Sequence, residues 1–276
     1  MSGGPTVPGG GLGVLPVPGL PEVTEGMALG ELIAAGTELE QGDVVVVSQK
    51  VVSKAEGRLR SLSSAIPGAE ARKLAAVLGK DPALVELILS ESREVLRAEG
   101  GVLITETHHG FVCANAGVDT SNLPDPHTAC LLPEDPDASA RNLRAEITAA
   151  VEGSGVGLAG HSPSAEAGPR PPLTIAVVIS DSFGRAWRLG QVEVAIGCAG
   201  IEPMDDWRGR ADAAGRELEA TAIAIADEAA AAADLVRDKA SGVPAAIVRG
   251  LGRHVVEEDG PGAAALRRPR DEDLFR

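Results

Sequence analysis

Three oxygen-bearing side chains, Ser180, Asp181 and Ser182, directly follow the apolar run from Ile175 to Ile179. Five consecutive apolar residues predict a buried strand, so one carboxylate and two hydroxyls would lie at its tip. Oxygen ligands of this kind suit Mg²⁺ or Mn²⁺, which bind through one or two carboxylates together with substrate phosphates. Read alone, the stretch slightly favours the alternative, a strand end at which Asp181 caps the backbone in an Asx-turn.

A second oxygen-rich stretch, residues 115–122, follows another predicted strand and contains Asp119. Asp119 and Asn122 are spaced so that both turn toward one site. Read alone, this stretch is a loop of turn-forming residues without a ligand. The presence of two acids at strand ends, Asp119 and Asp181, leads us to predict a shared metal site. That prediction requires the fold to bring the two carboxylates close together.

Basic residues follow two of the predicted strands, those at residues 44–47 and 175–179. Lys50 and Lys54 follow the apolar run at residues 44–47. Lysines placed directly after a core strand can act as point charges on nucleotide phosphates, and they can equally protect an exposed edge strand from pairing. Arg185 and Arg188 follow the tip of the 175–179 strand. We take these two arginines as candidate catalytic residues, because guanidinium groups pair with anionic substrates in a bidentate manner.

The elements that must position these residues alternate between strands and helices, which indicates a mixed α+β fold. Apolar runs and alternation predict strands at residues 12–17, 44–47, 101–107, 111–114, 175–179, 192–198 and 244–248. Helical periodicity predicts helices at residues 29–35, 69–78, 82–97, 135–151 and 218–236. Two adjacent histidines, His108 and His109, occupy a predicted hairpin turn, where they would point to opposite sides and would not chelate a metal.

The composition restricts the classes of partner and the compartment. The chain has a net charge of -15, which disfavours a general nucleic-acid or anionic-membrane surface because phosphate backbones need a basic footprint. Hydrophobic residues make up 44% of the chain, enough for a packed core, yet aromatic residues make up only 2%. The three cysteines, Cys113, Cys130 and Cys198, fit a reducing cytoplasm better than a disulfide framework. We therefore expect a cytoplasmic protein without a signal peptide or a membrane span.

Composition also suggests how the chain is divided. Residues 1–11 are rich in Gly and Pro, which predicts a disordered tail. Residues 12–252 would form the functional domain, and within it residues 153–172 are rich in Gly, Ser, Ala and Pro, which predicts a flexible surface insertion. Residues 253–276 are charged and contain Gly and Pro, so we expect a loose C-terminal tail.

Four separated motifs carry a resemblance to a known family. They are GDVVVVSQKVVSKAEGR at 42–58, GFVCANAGVDTSN at 110–122, ISDSFGRAWRLGQ at 179–191, and ADEAAAAADLV with VPAAIVRG from residue 226 onward. In this order they resemble the coenzyme F420-0:L-glutamate ligase family. The resemblance extends from Leu15 to Gly250. It is compatible with the lack of both common nucleotide fingerprints, GxxxxGK(S/T) and a GxGxxG after a strand, since this family binds GTP with a fold of its own.

The resemblance implies a fold, an activity and cofactors. Members of the family form two-lobed, intertwined homodimers of mixed α and β structure. They use GTP and a divalent metal, Mg²⁺ or Mn²⁺, with K⁺ as a stimulating ion. They join L-glutamate to coenzyme F420-0 through an acyl phosphate and then extend the product by γ-linkages. Some bacterial members carry a second, nitroreductase-like domain, and we expect this chain to correspond to the ligase domain alone.

The resemblance also implies roles for individual residues. Asp119 and Asp181 would hold one metal, and Ser182, which stands where Thr is common, would help to hold a second. The segment after the Ala-rich helix, near residues 237–243, would line the GTP site, although its sequence departs from the more usual Gly-Lys. The GTP contacts would come from Leu20, Pro21, Glu22, Val23, Gln49, Lys50, Lys54, Asn122 and Lys239.

Two alternatives stay open on the same fold. The first is a catalytically silent nucleotide-binding protein, which the retention of both acids and both lysines disfavours. The second is a metal-dependent phosphohydrolase, which would release phosphate from GTP without needing glutamate.

Overall fold

A computed structural model describes residues 11–123, 125–154 and 172–274. The strands are β1 (Gly13–Pro16), β2 (Val44–Ser48), β3 (Leu59–Ser61), β4 (Ser92–Glu99), β5 (Val102–Thr107), β6 (Val112–Ala114), β7 (Thr128–Cys130), β8 (Ala176–Arg185), β9 (Arg188–Ala199), β10 (Asp205–Asp206), β11 (Ala222–Ile223) and β12 (Ala245–Arg249). The helices are α1 (Leu29–Ala35), α2 (Gln49–Ala55), α3 (Ala69–Leu78), α4 (Pro82–Ser90), α5 (Pro136–Ser154) and α6 (Ile225–Asp234). This confirms a mixed α and β fold.

A five-stranded sheet in the order β1-β12-β2-β8-β9 forms the centre of the molecule. Its inner strands are continuous runs of Val, Ile and Ala because helices cover both faces. One face packs on α1 and α5, whose Ile33 and Ile147 are fully buried. The other face packs on α6, whose alanines allow the helix to lie close to the strands.

The pairing of β2 with β8 is the only parallel pairing among the strand pairs described for this sheet. Its register sets Ser48 opposite Ser180, so the carboxyl ends of the two strands lie side by side. Polar residues that follow both strands therefore meet at one edge of the sheet. In open α/β sheets this edge is where ligands bind.

A smaller three-stranded sheet, β4-β5-β6, packs with α3 and α4 around a separate cluster of buried residues. Ile88 and Leu103 are fully buried there. The division into two lobes, expected from the family resemblance, remains a prediction, although this second core is consistent with it.

Two predicted helices are shorter than expected. The helix predicted at 82–97 ends at Ser90, and Ser92–Glu99 pairs with β5 instead, because the strand partner overrides local helical preference. The helix predicted at 218–236 begins only at Ile225, since Ala222–Ile223 pairs with β10. In both places a partner distant in sequence decides the structure.

The C-terminal segment packs against the body of the molecule, which differs from the loose tail expected from its composition. The Asp137 carboxylate accepts hydrogen bonds from the backbone N–H groups of Ala263 (2.7 Å) and Cys198 (2.9 Å), which ties the segment to β9. Ala263 is fully buried. A few buried small side chains and one carboxylate thus order a charged segment. The predicted tail at 1–11, except for Gly11, and most of the predicted insertion at 153–172 lie outside the described residues.

The contact between α5 and β9 leaves no room for a side chain at Gly197. A Cβ atom at this position would lie 2.1 Å from the carbonyl oxygen of Pro136. We expect Gly197→Ala to lower the free energy of unfolding by about 3 kcal/mol, measured by urea denaturation. Gly184→Ala is the matched control, because a Cβ at Gly184 meets no atom within 4 Å. Equal stability of the two variants would contradict the tight packing of α5 on β9.

Candidate active site

A cleft of about 840 Å³ opens at the edge of the central sheet where β2 and β8 end. The walls come from three further segments: the loop after β1, the turn after β6, and the segment between α6 and β12. The lining includes Leu20, Pro21, Glu22, Val23, Gln49, Lys50, Lys54, Asp119, Asn122, Asp181, Ser182, Glu193, Arg237 and Lys239. The fold therefore brings the predicted nucleotide and metal residues into one cavity.

The first wall is the junction of β2 and α2. The strand ends at Ser48 and the helix begins at Gln49, so Lys50 and Lys54 lie one helical turn apart and face the same side. This geometry removes the alternative of lysines on an edge strand. Lys54 is buried, and its ammonium pairs with Glu22 at 2.5 Å. Gln49 is also buried and accepts a hydrogen bond from the Ser53 hydroxyl at 2.9 Å.

Asp119 lies opposite Lys50, whose ammonium donates to the carboxylate at 2.6 Å. The Ser121 backbone N–H also donates to this carboxylate, at 2.7 Å. Burial raises the pKa of Asp119, but the hydrogen bonds from Lys50 and Ser121 more than offset it, and the net pKa lies below the ordinary value. Asp119 is therefore a charged carboxylate. Asn122 adopts a φ of 52°, a left-handed conformation that Asn tolerates and that turns the loop at the cleft.

Among the acids that line the cleft, Asp181 has the pKa that departs furthest from its ordinary value. The residue is only partly exposed and its carboxyl is enclosed. This burial, with the neighbouring negative charges of Glu193 and Asp119, raises the pKa of Asp181 to about 7. Several acids packed around one point repel each other, and a bound cation would relieve that repulsion.

Glu193 is a site residue that sequence reasoning missed. It lies on β9 directly opposite Ser182 of β8, and it is buried. Its carboxylate accepts hydrogen bonds from the hydroxyls of Ser180 (2.6 Å) and Ser182. The sequence signal was available: Glu193 is the one acid in the run from Val192 to Ala199, which is otherwise apolar or small. An acid in such a run must have partners when the strand is buried.

Arg237, which follows α6, is buried beneath the cleft. One terminal nitrogen, Nη2, donates to the Ser180 hydroxyl at 2.9 Å and to the Glu193 carboxylate at 3.1 Å. The other two nitrogens, Nε and Nη1, have no hydrogen-bond partner among the described residues. Burial lowers the pKa of this guanidinium, while Glu193 and Asp234 raise it. A buried guanidinium with unused donors at a cleft wall is suited to an anionic ligand.

Lys239 completes this side of the cleft. Its ammonium donates to the Ser182 hydroxyl at 2.7 Å, and its side chain is 70% exposed at the rim. Ser182 thus stands between a carboxylate, Glu193, and an ammonium, Lys239. Such a hydroxyl can turn an oxygen lone pair toward a ligand without losing its partner.

Comparison with known proteins identifies the family. A sequence model described as F420-0:Gamma-glutamyl ligase matches residues 19–155 and 171–250. The chain belongs to the F420-0:gamma-glutamyl ligase family. It is therefore an enzyme of the ligase class. The match leaves out residues 156–170, which fall within the segment predicted to be an insertion.

Curated relatives of this ligase family are similar over almost their full length. The relative from Methanopyrus kandleri is 44% identical over 278 residues, 100% of both chains. The relative from Methanothermobacter thermautotrophicus is 43% identical over 272 residues, 96% of this chain and 99% of the relative. The relative from Methanocaldococcus jannaschii is 41% identical over 253 residues, 91% of each chain. All three are named coenzyme F420:L-glutamate ligase.

The two arginines predicted as catalytic residues of the ligase do not reach the cleft. The strand predicted to stop at Ile179 continues to Arg185, because β8 pairs with β9 along a long hairpin. Arg185 and Arg188 consequently lie at the hairpin tip, where both are exposed and neither lines the cavity. The guanidinium that does reach the cleft comes from Arg237, on a segment far along the chain.

The donor set of the cleft suits a hard divalent cation. Within residues 11–123, 125–154 and 172–274, no group of three or more His, Cys, Asp or Glu side chains is already arranged to hold a metal. The site nevertheless offers two carboxylates, Asp119 and Asp181, and the Ser182 hydroxyl, all oxygen donors of the kind Mg²⁺ and Mn²⁺ accept. The enclosed carboxyl of Asp181 has two further acids near it, Glu193 and Asp119, and this concentration of negative charge favours a cation at the site.

Proposed function

We propose that this protein is a GTP- and divalent-metal-dependent ligase that adds L-glutamate to coenzyme F420-0 and extends the product by γ-linked glutamates. The observation that carries the proposal is the convergence of Asp119, Asp181, Ser182 and the cleft lysines in one cavity of a chain that belongs to this ligase family. The names of the relatives support the acceptor and the amino acid. GTP, the metal and K⁺ are part of the proposal.

The nucleotide phosphates have four cationic partners in the cleft. Lys50 and Lys54 stand on one wall, and Arg237 and Lys239 stand on the other. In the structure, Lys50 pairs with Asp119 and Lys54 pairs with Glu22. We propose that phosphate oxygens take over these ammonium groups, while residues 20–23 and Asn122 contact the rest of the nucleotide.

Asp119, Asp181 and Ser182 would hold Mg²⁺ or Mn²⁺ at this position. When bound, the metal would neutralise negative charge on the phosphates and help to orient them. Lys50 donates to Asp119, Lys239 donates to Ser182, and the Ser182 backbone N–H donates to Asp181, so each ligand would be oriented before the metal binds. Phosphoryl transfer needs mainly this positioning and charge neutralisation.

The proposed ligation takes place in two steps. An oxygen of the acceptor carboxylate attacks the γ-phosphorus of GTP, the bond to the bridging oxygen breaks, and GDP leaves. The amine of L-glutamate then attacks the carbonyl carbon of the acyl phosphate, inorganic phosphate leaves and the amine loses a proton. Arg237 lines the cleft, and its positive charge would stabilise the oxygens that gain charge in the first step. Lys50 and Lys54 hold the nucleotide in line.

A mass-spectrometric assay tests this function against the two alternatives. The purified protein is mixed with F420-0, L-glutamate, GTP and Mn²⁺, and one component is left out at a time. A ligase gives successive mass gains of one glutamate residue and forms product only in the complete mixture. GDP release in the absence of glutamate and F420-0, without product, would favour the phosphohydrolase. GTP binding without GDP release or product would favour the silent nucleotide-binding protein.

The hairpin of β8 and β9 supports a homodimer, which we also propose. Trp187 is 88% exposed and Leu189 is 98% exposed at its tip. Large apolar side chains displayed together on a projecting arm are typical of a protein interface. We propose that the arm packs against a second copy of the chain, as the family resemblance implies.

The hairpin predicts a specific change in oligomeric state. We expect the double variant Trp187→Ser, Leu189→Ser to be monomeric where the wild type is dimeric, measured by size-exclusion chromatography with light scattering. Ile66→Ser is the matched control, because Ile66 is also highly exposed but lies outside the hairpin. A double variant that remains dimeric would contradict the role of the hairpin.

In the described ranges, no helix is long and apolar enough to cross a membrane. The cytoplasmic location and the lack of nucleic-acid and membrane partners, inferred from composition, remain predictions.

A further inference from the structure

A second cavity of about 720 Å³ lies beside the cleft and has no role in the proposed nucleotide and metal site. Its walls are the β5–β6 hairpin, β9 and the packed C-terminal segment. The lining includes Arg93, Glu106, His109, Phe111, Val112, Phe183, Val194, Asp227, Ala263, Arg267, Arg268, Arg270 and Asp273. The C-terminal arginines lie beyond residue 250, where the family match ends.

Aromatic rings form one side of this cavity. Phe111 and Phe183 meet edge to face with ring centroids 6.3 Å apart, and His109 stacks on Phe111 at 5.7 Å. The guanidinium of Arg267 lies over the Phe111 ring, 5.6 Å from its centroid. Aromatic residues make up only 2% of the chain, and two of its three phenylalanines lie at this cavity. Such a surface suits a flat ring.

Four arginines meet three acids around the same cavity. In a chain with 40 acidic and 25 basic residues, a local excess of positive charge points to an anionic ligand. Arg93 and Arg270 pair with the buried Glu106 at 3.2 Å and 3.5 Å and so neutralise it. Arg267 and Arg268 are in no ion pair within the described part of the chain. Nη1 of Arg267 donates to the carbonyl oxygen of His109, so its other donors and the exposed guanidinium of Arg268 are available to a carboxylate or a phosphate.

The second cavity adjoins the cleft. Phe183 lines both, two residues along β8 from Asp181. Phe111, directly before β6, lines the second cavity, and Cys113, two residues on, lines the cleft. Residues two apart along a strand face the same side and lie about 7 Å apart, so the two cavities are neighbours on this face.

We propose that the second cavity binds the ring-bearing, acidic body of the acceptor, whose terminal carboxylate passes Phe183 into the cleft. The inference rests on the proposed function, in which the acceptor and GTP must be bound at the same time. The cations suited to the nucleotide phosphates, Lys50, Lys54, Arg237 and Lys239, all lie in the first cavity. The nucleotide phosphates are therefore expected to bind in the first cavity and to leave the second cavity to the acceptor. Arg267 and Arg268 are the specificity residues for the acceptor.

The test measures binding of F420-0 and of GTP separately to the full chain by isothermal titration calorimetry. Arg267→Ala and Arg268→Ala are compared with Arg72→Ala, which changes an exposed arginine of α3 outside both cavities. We expect the Arg267 and Arg268 variants each to raise the Kd for F420-0 about tenfold, the effect of losing one charge-assisted hydrogen bond. The Kd for GTP should stay within about twofold of the wild type in all three variants.

The outcomes separate this inference from the proposed function. Unchanged F420-0 affinity in both variants, with normal ligation by the wild type, would overturn the inference and leave the function intact. Weaker GTP binding with unchanged F420-0 binding would assign the cavity to a nucleotide and also overturn it. If F420-0 binding weakens as expected but the wild type forms no glutamylated product, the acceptor site holds and the proposed reaction fails.

Discussion

Asp181→Asn is expected to reduce ligation by a factor of about a thousand or more, because the amide removes a negative oxygen donor from the proposed metal site. The side chain keeps its size and its position on β8, so the loss would report on charge. Product formation, measured by mass spectrometry at saturating GTP, F420-0, glutamate and Mn²⁺, checks this prediction. Asp212→Asn is the matched control, since Asp212 lies in an exposed turn outside the cleft.

The same substitution should stabilise the metal-free protein. The pKa of Asp181 is raised from 3.8 to about 7 in the folded state, so the folded protein holds this proton more tightly than the unfolded chain. The resulting stability is fully present below pH 3.8 and is lost as the pH rises to about 7. Above that pH, Asp181→Asn removes the repulsion and should raise the melting temperature without metal. An inactive variant with a lowered melting temperature at about pH 8 would contradict this explanation and indicate ordinary loss of structure.

Arg237→Met is expected to have two large effects. It leaves Glu193 buried without its guanidinium partner, which should lower the free energy of unfolding by about 3–5 kcal/mol. The side chains of Arg237 and Glu193 are only 5% and 6% exposed, so water does little to screen the loss. The substitution also removes a positive charge from the lining of the cleft, and we expect GTP affinity to fall by a factor of about ten or more. Urea denaturation and calorimetry measure the two effects separately.

Two further variants separate structure from binding at Arg237. Glu193→Gln keeps the guanidinium charged and should retain GTP affinity. The double variant Glu193→Gln, Arg237→Met removes both charges and should recover much of the lost stability while GTP binding stays weak. If the double variant instead binds GTP as well as Glu193→Gln does, Arg237 has only a structural role.

The sequence was sufficient to predict Asp119, Asp181, Lys50 and Lys54 because these residues follow predicted strands at a short distance along the chain. The buried runs before Lys50 and before Asp181 are recognisable as strands without any partner. Their parallel pairing then brings Ser48 next to Ser180, and the polar residues after them share one edge. The pattern of apolar runs followed by polar residues, and the rule that ligands bind at the carboxyl ends of parallel strands, both predicted a site at this edge of the sheet.

Glu193 and Arg237 could not be predicted in this way, because their positions at the cleft depend on residues that are distant in sequence. Glu193 reaches the cleft only through its register opposite Ser182, and Arg237 only because α6 packs across the sheet. The misplacement of Arg185 and Arg188 has the same origin. Apart from Phe183, residues 180–185 are polar or small, as is typical of a loop. Pairing with β9 nevertheless extends the stretch as a strand and carries both arginines beyond the cleft.

The most direct test of the proposed ligation is to follow an oxygen atom. F420-0 labelled with oxygen-18 in its terminal carboxylate is incubated with the protein, GTP, L-glutamate and Mn²⁺, and both products are analysed by mass spectrometry. We predict a glutamylated product, and one labelled oxygen in the phosphate released with the first glutamate, because the F420-0 carboxylate oxygen leaves with the phosphoryl group. Later additions activate the unlabelled carboxylate of an added glutamate, so the labelled phosphate should equal the amount of F420-0 converted. A first addition that releases only unlabelled phosphate, or phosphate released without glutamylated product, would contradict ligation through an acyl phosphate at this cleft.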